Sequence, residues 1–336
     1  MNKYLLYPGC SLQRNARSYR DSLVAIQPEL AMELEEVDDW NCCGATEYGS
    51  VYAVARHALV ARNLAHAKAQ SNGIPPTVVA PCSACYLNLS KTDHVLRTDK
   101  RMASLVNDAL QAGGLNYQPG SVGSRHLLDV IYNDVGLEVI RSHVTNPLKG
   151  LRVAPYYGCM IVRPDVDDHF SSTEYPLELD ELLAALGATV IDFPLKTHCC
   201  GGHMTQISPE VAYEMIRRLI AAGDHYRADV MVTLCPMCQL NLDAYQGDMN
   251  SHFKTDYHVP VLYFTQLMGL AFGHDPLELG LGKEFVSARD ALARIGVELP
   301  EEEPVAPKPA VRRKDDPSLP MPTPLDGGAK REEKGS

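Results

Sequence analysis

Thr77-Val78-Val79-Ala80 and Val230-Met231-Val232-Thr233-Leu234 are two apolar runs that each lead into a CxxC motif. The motifs are Cys82-Ser83-Ala84-Cys85 and Cys235-Pro236-Met237-Cys238. Short continuous apolar runs of this kind are typical of strands that are buried on both faces of a parallel sheet. The sequence therefore predicts two buried parallel strands, each of which delivers a pair of cysteines at its carboxyl end.

The same order of cysteines precedes both CxxC motifs: a single cysteine, then an adjacent pair followed by glycine. The single cysteine and the pair are separated by 31 residues in the first set and 39 in the second, and the pair and the CxxC motif by 38 and 34. The first set is Cys10, Cys42, Cys43, Cys82 and Cys85, and the second is Cys159, Cys199, Cys200, Cys235 and Cys238. These ten are all the cysteines of the chain, which therefore holds two matching quintets with none left over.

Each quintet lies in a β-α unit that occurs twice along the chain. Residues 3–8 and 151–157 are predicted strands, and each runs into a Gly-Cys step where glycine permits a tight turn. We predict an α/β fold of two repeats related by a pseudo-twofold axis, each a small parallel sheet with flanking helices. The predicted boundaries are an N-terminal domain at 1–148, a C-terminal domain at 149–299 and a disordered tail at 300–336, which is rich in proline and charge.

Further elements are predicted between the cysteines of each half. In the first half we predict a helix over 16–36, interrupted at Pro28, and a strand near 36–40. In the second half we predict a helix over 175–188 and a strand over 189–193. Helices are also expected after the cysteine pairs, at 50–70 and 209–222, and as a matching pair at 126–136 and 263–273.

The composition is that of a soluble globular protein, with 336 residues of which 45% are hydrophobic and 22% charged. We find neither a signal peptide nor an apolar run long enough to span a membrane. We therefore expect a cytoplasmic protein, in which cysteine clusters more often bind metal than form disulfides. The net charge of −11, with no basic stripe, argues against binding to nucleic acid.

Three kinds of chemistry suit the quintets: iron–sulfur clusters, zinc or disulfides. The expected compartment disfavours disulfides. Zinc is satisfied by four ligands, so a quintet leaves one cysteine spare, although zinc in one half remains an alternative. A cluster with more than four protein thiolates uses all five cysteines, because two adjacent thiolates reach two iron atoms more easily than one.

The spacing Cys-x31–39-Cys-Cys-Gly-x34–38-Cys-x-x-Cys resembles the repeated CCG domain of the heterodisulfide reductase B subunit. The resemblance covers about residues 1–275, and one departure is Ala45-Thr46-Glu47, where the second half has Gly202-His203. It implies that all ten cysteines are ligands of two non-cubane [4Fe-4S] clusters, one per quintet, and that a disulfide is cleaved between them. It also implies two partners: a cubane iron–sulfur electron-transfer protein like the C subunit of that complex, and a flavin-containing protein like its A subunit.

If all ten thiolates bind metal, no free dithiol remains to exchange with a disulfide, so cleavage has to occur at iron. The leading hypothesis is thus a catalytic iron–sulfur subunit that cleaves a disulfide or, in reverse, oxidises thiols or sulfane sulfur. The alternatives are an electron-relay or quinone-linked subunit of a dehydrogenase complex and a zinc-stabilised interaction module. Lys196, His198 and His203 flank the second cysteine pair and are candidates to bind an anionic substrate or protonate a leaving thiolate, with tuning of the cluster or simple surface exposure as the alternatives.

Overall fold

Each half of the chain forms one four-stranded parallel sheet. The computed structural model describes residues 2–45, 52–71, 75–163 and 170–300. The strands are β1 Asn2–Leu6, β2 Met32–Glu36, β3 Thr77–Ala80, β4 Gly123–His126, β5 Arg152–Tyr156, β6 Thr189–Val190, β7 Val230–Thr233 and β8 Val261–Tyr263. The strand order is β2-β1-β3-β4 in the first sheet and β6-β5-β7-β8 in the second. All pairs are parallel, which confirms the predicted α/β repeat.

Helices follow the strands in both halves, and the chain up to Pro300 packs as one compact unit. The helices are α1 Gly9–Leu12, α2 Arg17–Ile26, α3 Ala53–Gln70, α4 Ser83–Thr98, α5 Lys100–Gln111, α6 Leu127–Val130, α7 Leu137–His143, α8 Glu178–Ala185, α9 Met204–Ile207, α10 Pro209–His225, α11 Pro236–Ala244, α12 Gln246–Phe253, α13 Phe264–Phe272 and α14 Arg289–Ala293. A π-helical turn, Ile131–Val135, lies between α6 and α7. No helix in the described part of the chain is long and apolar enough to cross a bilayer.

Strands β3 and β7 lie in the middle of their sheets and carry the CxxC motifs at their carboxyl ends, as predicted. All four residues of β7 are buried, and three of the four in β3 are. A parallel strand covered by helices on both faces requires this continuous apolar character. The central position of the two strands therefore places the CxxC cysteines in the interior of the molecule.

The prediction was wrong for the segment after α2. The predicted helix over 16–36 ends at Ile26, because Pro28 has no backbone N–H with which to continue the helical hydrogen bonds. The predicted strand at 36–40 instead occupies Met32–Glu36, whose leucine and glutamates are strong helix formers. Pairing with β1 along the whole strand overrides that propensity.

Smaller corrections concern element lengths. The second-half strand predicted at 189–193 is only Thr189–Val190, and the helix predicted at 175–188 begins at Glu178 and ends at Ala185. The helices predicted at 126–136 and 263–273 begin one residue after a fourth strand, β4 or β8, that the sequence did not indicate. The start of the helix predicted at 50–70 and the tail after Pro300 lie outside the described residues.

Tyr19 joins the two halves at the point where the CxxC motifs approach each other. Its hydroxyl lies 3.1 Å from the carbonyl oxygen of Pro81 and 3.4 Å from that of Leu234, the residues that precede Cys82 and Cys235. Its ring stacks on Tyr263 with 4.4 Å between the centroids. A hydroxyl within reach of both motifs fixes their relative position at this seam.

We expect Tyr19→Phe to lower the free energy of unfolding by about 1–3 kcal/mol, because the substitution removes the buried hydroxyl that donates at this seam. The stacking on Tyr263 is retained, so the change isolates the hydroxyl. The measurement is the midpoint urea concentration of unfolding, compared at an unchanged m-value, the slope of the unfolding free energy against urea concentration. Tyr226→Phe is the control, since Tyr226 is 39% exposed, and an equal loss there would contradict the assignment.

Candidate metal centre

All ten cysteines lie beyond the carboxyl ends of strands, the edge of an open α/β sheet where ligands bind. Cys10 lies in the short α1 directly after β1, and Cys159 occupies the matching place after β5. Cys82 and Cys235 are the N-cap residues of α4 and α11. Cys85 and Cys238 follow within the first turn of those helices. The fold thus gathers cysteines from three segments of each half at one sheet edge.

The two cysteines of each adjacent pair point to different neighbours. The sulfur of Cys42 lies 3.6 Å from that of Cys10, whereas the sulfur of Cys43 lies 3.5 Å from that of Cys85. In the second half the sulfur of Cys200 lies 3.5 Å from that of Cys238. Cys199 contacts Cys159 through a hydrogen bond. Neighbouring thiols that diverge in this way are suited to different atoms of one cluster.

In each half the single cysteine and the first cysteine of the adjacent pair form what we call the outer pair, and these two thiols share a proton unequally. The hydrogen bond with Cys10 lowers the pKa of Cys42 to about 2, and the same bond raises the pKa of Cys10. The hydrogen bond with Cys159 lowers the pKa of Cys199 to about 6 and raises that of Cys159. One thiolate in each outer pair is therefore ready to bind metal, and binding of the other must release a proton.

Two tyrosines fix the loops that carry the cysteine pairs. The hydroxyl of Tyr7 donates to the carbonyl of Asn41 at 2.6 Å, and that of Tyr156 donates to the carbonyl of His198 at 2.7 Å. In each case the tyrosine stands three residues before the single cysteine, and the acceptor directly precedes the pair. Both tyrosines are fully buried, so these bonds tie the pair to the end of the strand.

Two asparagines support the buried cysteine of each pair, and the sequence argument assigned them no role. The amide of Asn88 lies 3.5 Å from the sulfur of Cys43 and donates to the carbonyl of Ala45 at 2.9 Å. The amide of Asn241 lies 3.7 Å from the sulfur of Cys200 and donates to the carbonyl of Gly202 at 2.7 Å. Both asparagines stand three residues after the last cysteine of a CxxC motif, and this repeated offset was the available signal.

We expect Asn241→Ala to lower stability by about 1–3 kcal/mol and to weaken metal retention in the second half, because a buried carbonyl and a sulfur lose their donor. Thermal unfolding and metal content after chelator treatment measure the two effects. Gln239→Ala on the same helix is the control, since this side chain reaches no cysteine sulfur in the described bonds. A larger effect of the control would contradict the assignment.

A cavity of about 180 Å³ lies against the second quintet. All five cysteines of that quintet line it, together with Ser83, Tyr157, Met160, Gly201, Gly202, His203, Met204, Ile207 and Met237. At about 30 Å³ per water molecule this volume equals roughly six waters, which exceeds the room that one metal ion needs. Five sulfurs around such a space fit a multi-atom cluster.

The two quintets meet at the seam between the halves. Hydrogen bonds with Cys238 and, to a smaller extent, with Cys82 lower the pKa of Cys235, and the bond between Cys82 and Cys235 raises the pKa of Cys82. Among the described residues no three metal-binding side chains converge on one point as ligands of a single ion would. The interaction of Cys82 with Cys235 brings one sulfur of each half together where the first and second sites meet.

The three predicted acid–base candidates have different surroundings. Lys196 is fully buried, and its ammonium group lies 2.8 Å from Asp180 and 3.8 Å from the ring centroid of Tyr175. The ion pair with Asp180 holds the ammonium group of Lys196, which does not line the cavity. His198 is exposed and contributes a carbonyl to Tyr156, whereas His203 lines the cavity. His203 is thus the candidate that the fold brings to the quintets.

His203 also lies near the first quintet. Besides the hydrogen bond with Cys10, the charge of His203 lowers the pKa of Cys42. This influence extends from a loop of the second half to the first cysteine pair. His126 is fully buried and accepts a hydrogen bond from the backbone N–H of Leu128 at the start of α6.

The chain belongs to the CCG cysteine-rich domain family. The family model, described as a cysteine-rich domain, matches residues 4–90 and 153–243, one copy in each half. The predicted relationship to the B subunit of heterodisulfide reductase is confirmed by relatives of about 30% identity over most of the chain.

Three relatives illustrate the range of this family. The chain is 36% identical to the 8-methylmenaquinol:fumarate reductase membrane anchor subunit of Wolinella succinogenes, over 85% of this chain and 98% of that protein. It is 30% identical to the B subunit of the ferredoxin/F(420)H(2)-dependent CoB-CoM heterodisulfide reductase of Methanosarcina acetivorans, over 88% and 97%. It is 31% identical to an Archaeoglobus profundus protein described as similar to the heterodisulfide reductase B subunit, over 82% and 92%.

The fold is also similar to a solved structure. The crystal structure of a hypothetical protein from Helicobacter pylori matches with a TM-score of 0.65 and 14% identity. The match covers 85% of this chain and 52% of that one. At this identity the likeness concerns the fold alone.

Proposed function

We propose that this chain is the catalytic iron–sulfur subunit of a heterodisulfide-reductase-like complex. Each quintet would bind one non-cubane [4Fe-4S] cluster, the first within 1–148 and the second within 149–299. The observation that carries the proposal is the contact between Cys82 of the first quintet and Cys235 of the second, which brings the two sites together at one seam. Cleavage of a disulfide needs two electrons, and two adjacent one-electron centres can supply one each.

When bound, the clusters would supply the electrons for the reaction. The chain itself supplies the surroundings. Met160, Met204 and Met237 give the cavity of the second quintet apolar walls. The imidazole of His203 lines the cavity of the second quintet, where it can donate a proton from a ring nitrogen to a leaving thiolate.

A partner protein must deliver or remove the electrons, because the ten cysteines are all assigned to the two clusters and none remains for further wiring. The relatives named above as heterodisulfide reductase subunits support membership of a multi-subunit complex. We propose that these partners are two further subunits, one with cubane iron–sulfur clusters and one with a flavin. The C-terminal segment after Pro300 is a candidate tether to them.

We expect protein purified anaerobically to contain about eight iron atoms per chain, from two four-iron clusters. Iron, acid-labile sulfide and zinc are measured on the same sample. Stoichiometric zinc with little iron would contradict the proposal. Zinc together with about four irons would assign zinc to one half.

A second candidate function is a quinone-linked electron relay. Two observations favour it: the apolar walls of the cavity, in which the described residues include neither lysine nor arginine, and the relative named as a menaquinol:fumarate reductase subunit. An anionic disulfide would normally be recognised by such cations. A quinone ring is neutral and apolar, and methionine-lined walls suit it.

One paired assay separates the two functions. Loaded protein is given reduced viologen with an anionic or a neutral aryl disulfide, and separately a menaquinol analogue with an oxidised acceptor dye. Thiol release from a disulfide is the result expected for the proposed function. Quinol oxidation without thiol release would overturn it in favour of the relay.

A further inference from the structure

Ser83 belongs to the CxxC motif of the first half but lines the cavity of the second. Every other described residue around that cavity lies at position 157 or beyond. The side chain is only 1% exposed, and its hydroxyl makes no hydrogen bond with any described residue. The first half therefore places an unpartnered polar group against the quintet of the other half.

The position of Ser83 in α4 explains why its hydroxyl has no local partner. A serine within a helix can donate to a carbonyl of the preceding turn, but Ser83 is the first residue of α4 and has no such turn before it. The preceding Cys82 has extended backbone, with φ −94° and ψ 123°. A buried hydroxyl without a partner costs about 1–3 kcal/mol, so whatever fills the cavity is expected to accept its hydrogen bond.

We propose that the Ser83 hydroxyl donates a hydrogen bond to a sulfur atom of the second cluster, and so raises the reduction potential of that cluster from the opposite half. This inference rests on the proposed function only in that a cluster is bound. Reduction adds negative charge to the sulfur atoms, and a hydrogen bond to them stabilises the reduced form more than the oxidised one. The matching position of the second CxxC motif is Pro236, which has no hydroxyl.

The consequence is an intrinsic asymmetry between two otherwise similar sites. The side chains that hold the cysteine pairs are the same in both halves. Asn88 corresponds to Asn241, and Tyr7 corresponds to Tyr156. Ser83 and Pro236 are not matched in chemistry, although they hold equivalent positions in the two CxxC motifs. The hydrogen bond from Ser83 therefore makes the second cluster easier to reduce than the first, which has no such donor at Pro236.

The test is a redox titration of Ser83→Ala, followed by electron paramagnetic resonance on the full anaerobically loaded chain. The two signals are first assigned with Cys43→Ser and Cys200→Ser, each of which removes one cluster. We expect the midpoint potential of the second cluster to fall, with about a fivefold lower ratio of reduced to oxidised cluster at a fixed potential, for a bond of roughly 1 kcal/mol. The potential of the first cluster should not change.

Ser90→Ala is the matched control. Ser90 lies on the same helix, is 2% exposed and also has a hydroxyl without a described partner, but it lines a different pocket with Arg97 and Arg125. Its removal should leave both potentials unchanged. An equal shift in both clusters, no shift after Ser83→Ala, or the same shift after Ser90→Ala would overturn the proposal.

Ser83→Thr covers the case in which Ser83→Ala fails to load its second cluster. If the threonine variant loads with a wild-type potential, the hydroxyl is required and the proposal stands. If both variants lose the cluster alike, Ser83 acts through packing and the proposal is wrong. Failure of the unaltered chain to bind any cluster is a separate result that overturns the proposed function itself.

Discussion

Cys200→Ser is expected to abolish nearly all disulfide-reducing turnover although about half of the iron stays bound. Cys200 is buried and its sulfur lies 3.5 Å from that of Cys238, so its loss opens the second site. The first quintet is built by a separate sheet and keeps its own cysteine contacts. A single cluster can supply only one of the two electrons, so the rate should fall by more than the roughly 10–100-fold typical of losing a supporting residue.

Cys43→Ser is the matched variant, because Cys43 has the same place in the first half and lies 3.5 Å from Cys85. The paired mechanism predicts equally severe losses in both variants, since groups that act as a unit fail together. Iron content and rate are measured side by side for the two proteins. Near-normal turnover in either one, with its cluster shown to be missing, would rule out the paired mechanism. A sharp difference between them would favour the relay.

The second large effect is expected for Gly158→Ala, which should prevent assembly of the second site. Gly158 has a φ of +71°, and a Cβ there would lie 3.0 Å from the sulfur of Cys238. A Cβ at this distance is tighter than nearly all real Cβ contacts, so the sulfur of Cys238 has to move by a few tenths of an ångström from its place in the quintet. The variant therefore combines left-handed strain of about 1–2 kcal/mol with a displaced ligand, and about half of the iron should be lost.

Gly114→Ala separates strain from the clash. Gly114 has a nearly identical φ of +72°, but a Cβ there would meet no atom within 4 Å. This variant should lose only about 1–2 kcal/mol of stability and keep both clusters. Gly9→Ala, whose Cβ would lie 2.9 Å from the sulfur of Cys85, should empty the first site instead. Equal iron in Gly158→Ala and Gly114→Ala would falsify the steric argument.

The duplicated architecture could be predicted because local sequence carries it. Apolar runs before each CxxC motif, and Gly-Cys steps after the first strand of each half, are patterns that few other folds satisfy. The strand Met32–Glu36 could not be predicted in this way, because its residues favour a helix and only pairing with β1 makes them extended. The fourth strands, β4 and β8, are short edge strands with the same dependence on a neighbour.

The two cysteine quintets and the family follow from residue type and spacing along the chain, so they could be predicted without a structure. Which sulfurs meet depends on how the chain folds in three dimensions. The tertiary structure separated the two members of each cysteine pair, placed Cys82 against Cys235, and brought Ser83 to the cavity of the other half. It also drew Lys196 into a buried ion pair and left His203 at the site. These contacts join residues far apart in the chain across a seam between two sheets, and nothing in the local pattern encodes how two such halves pack.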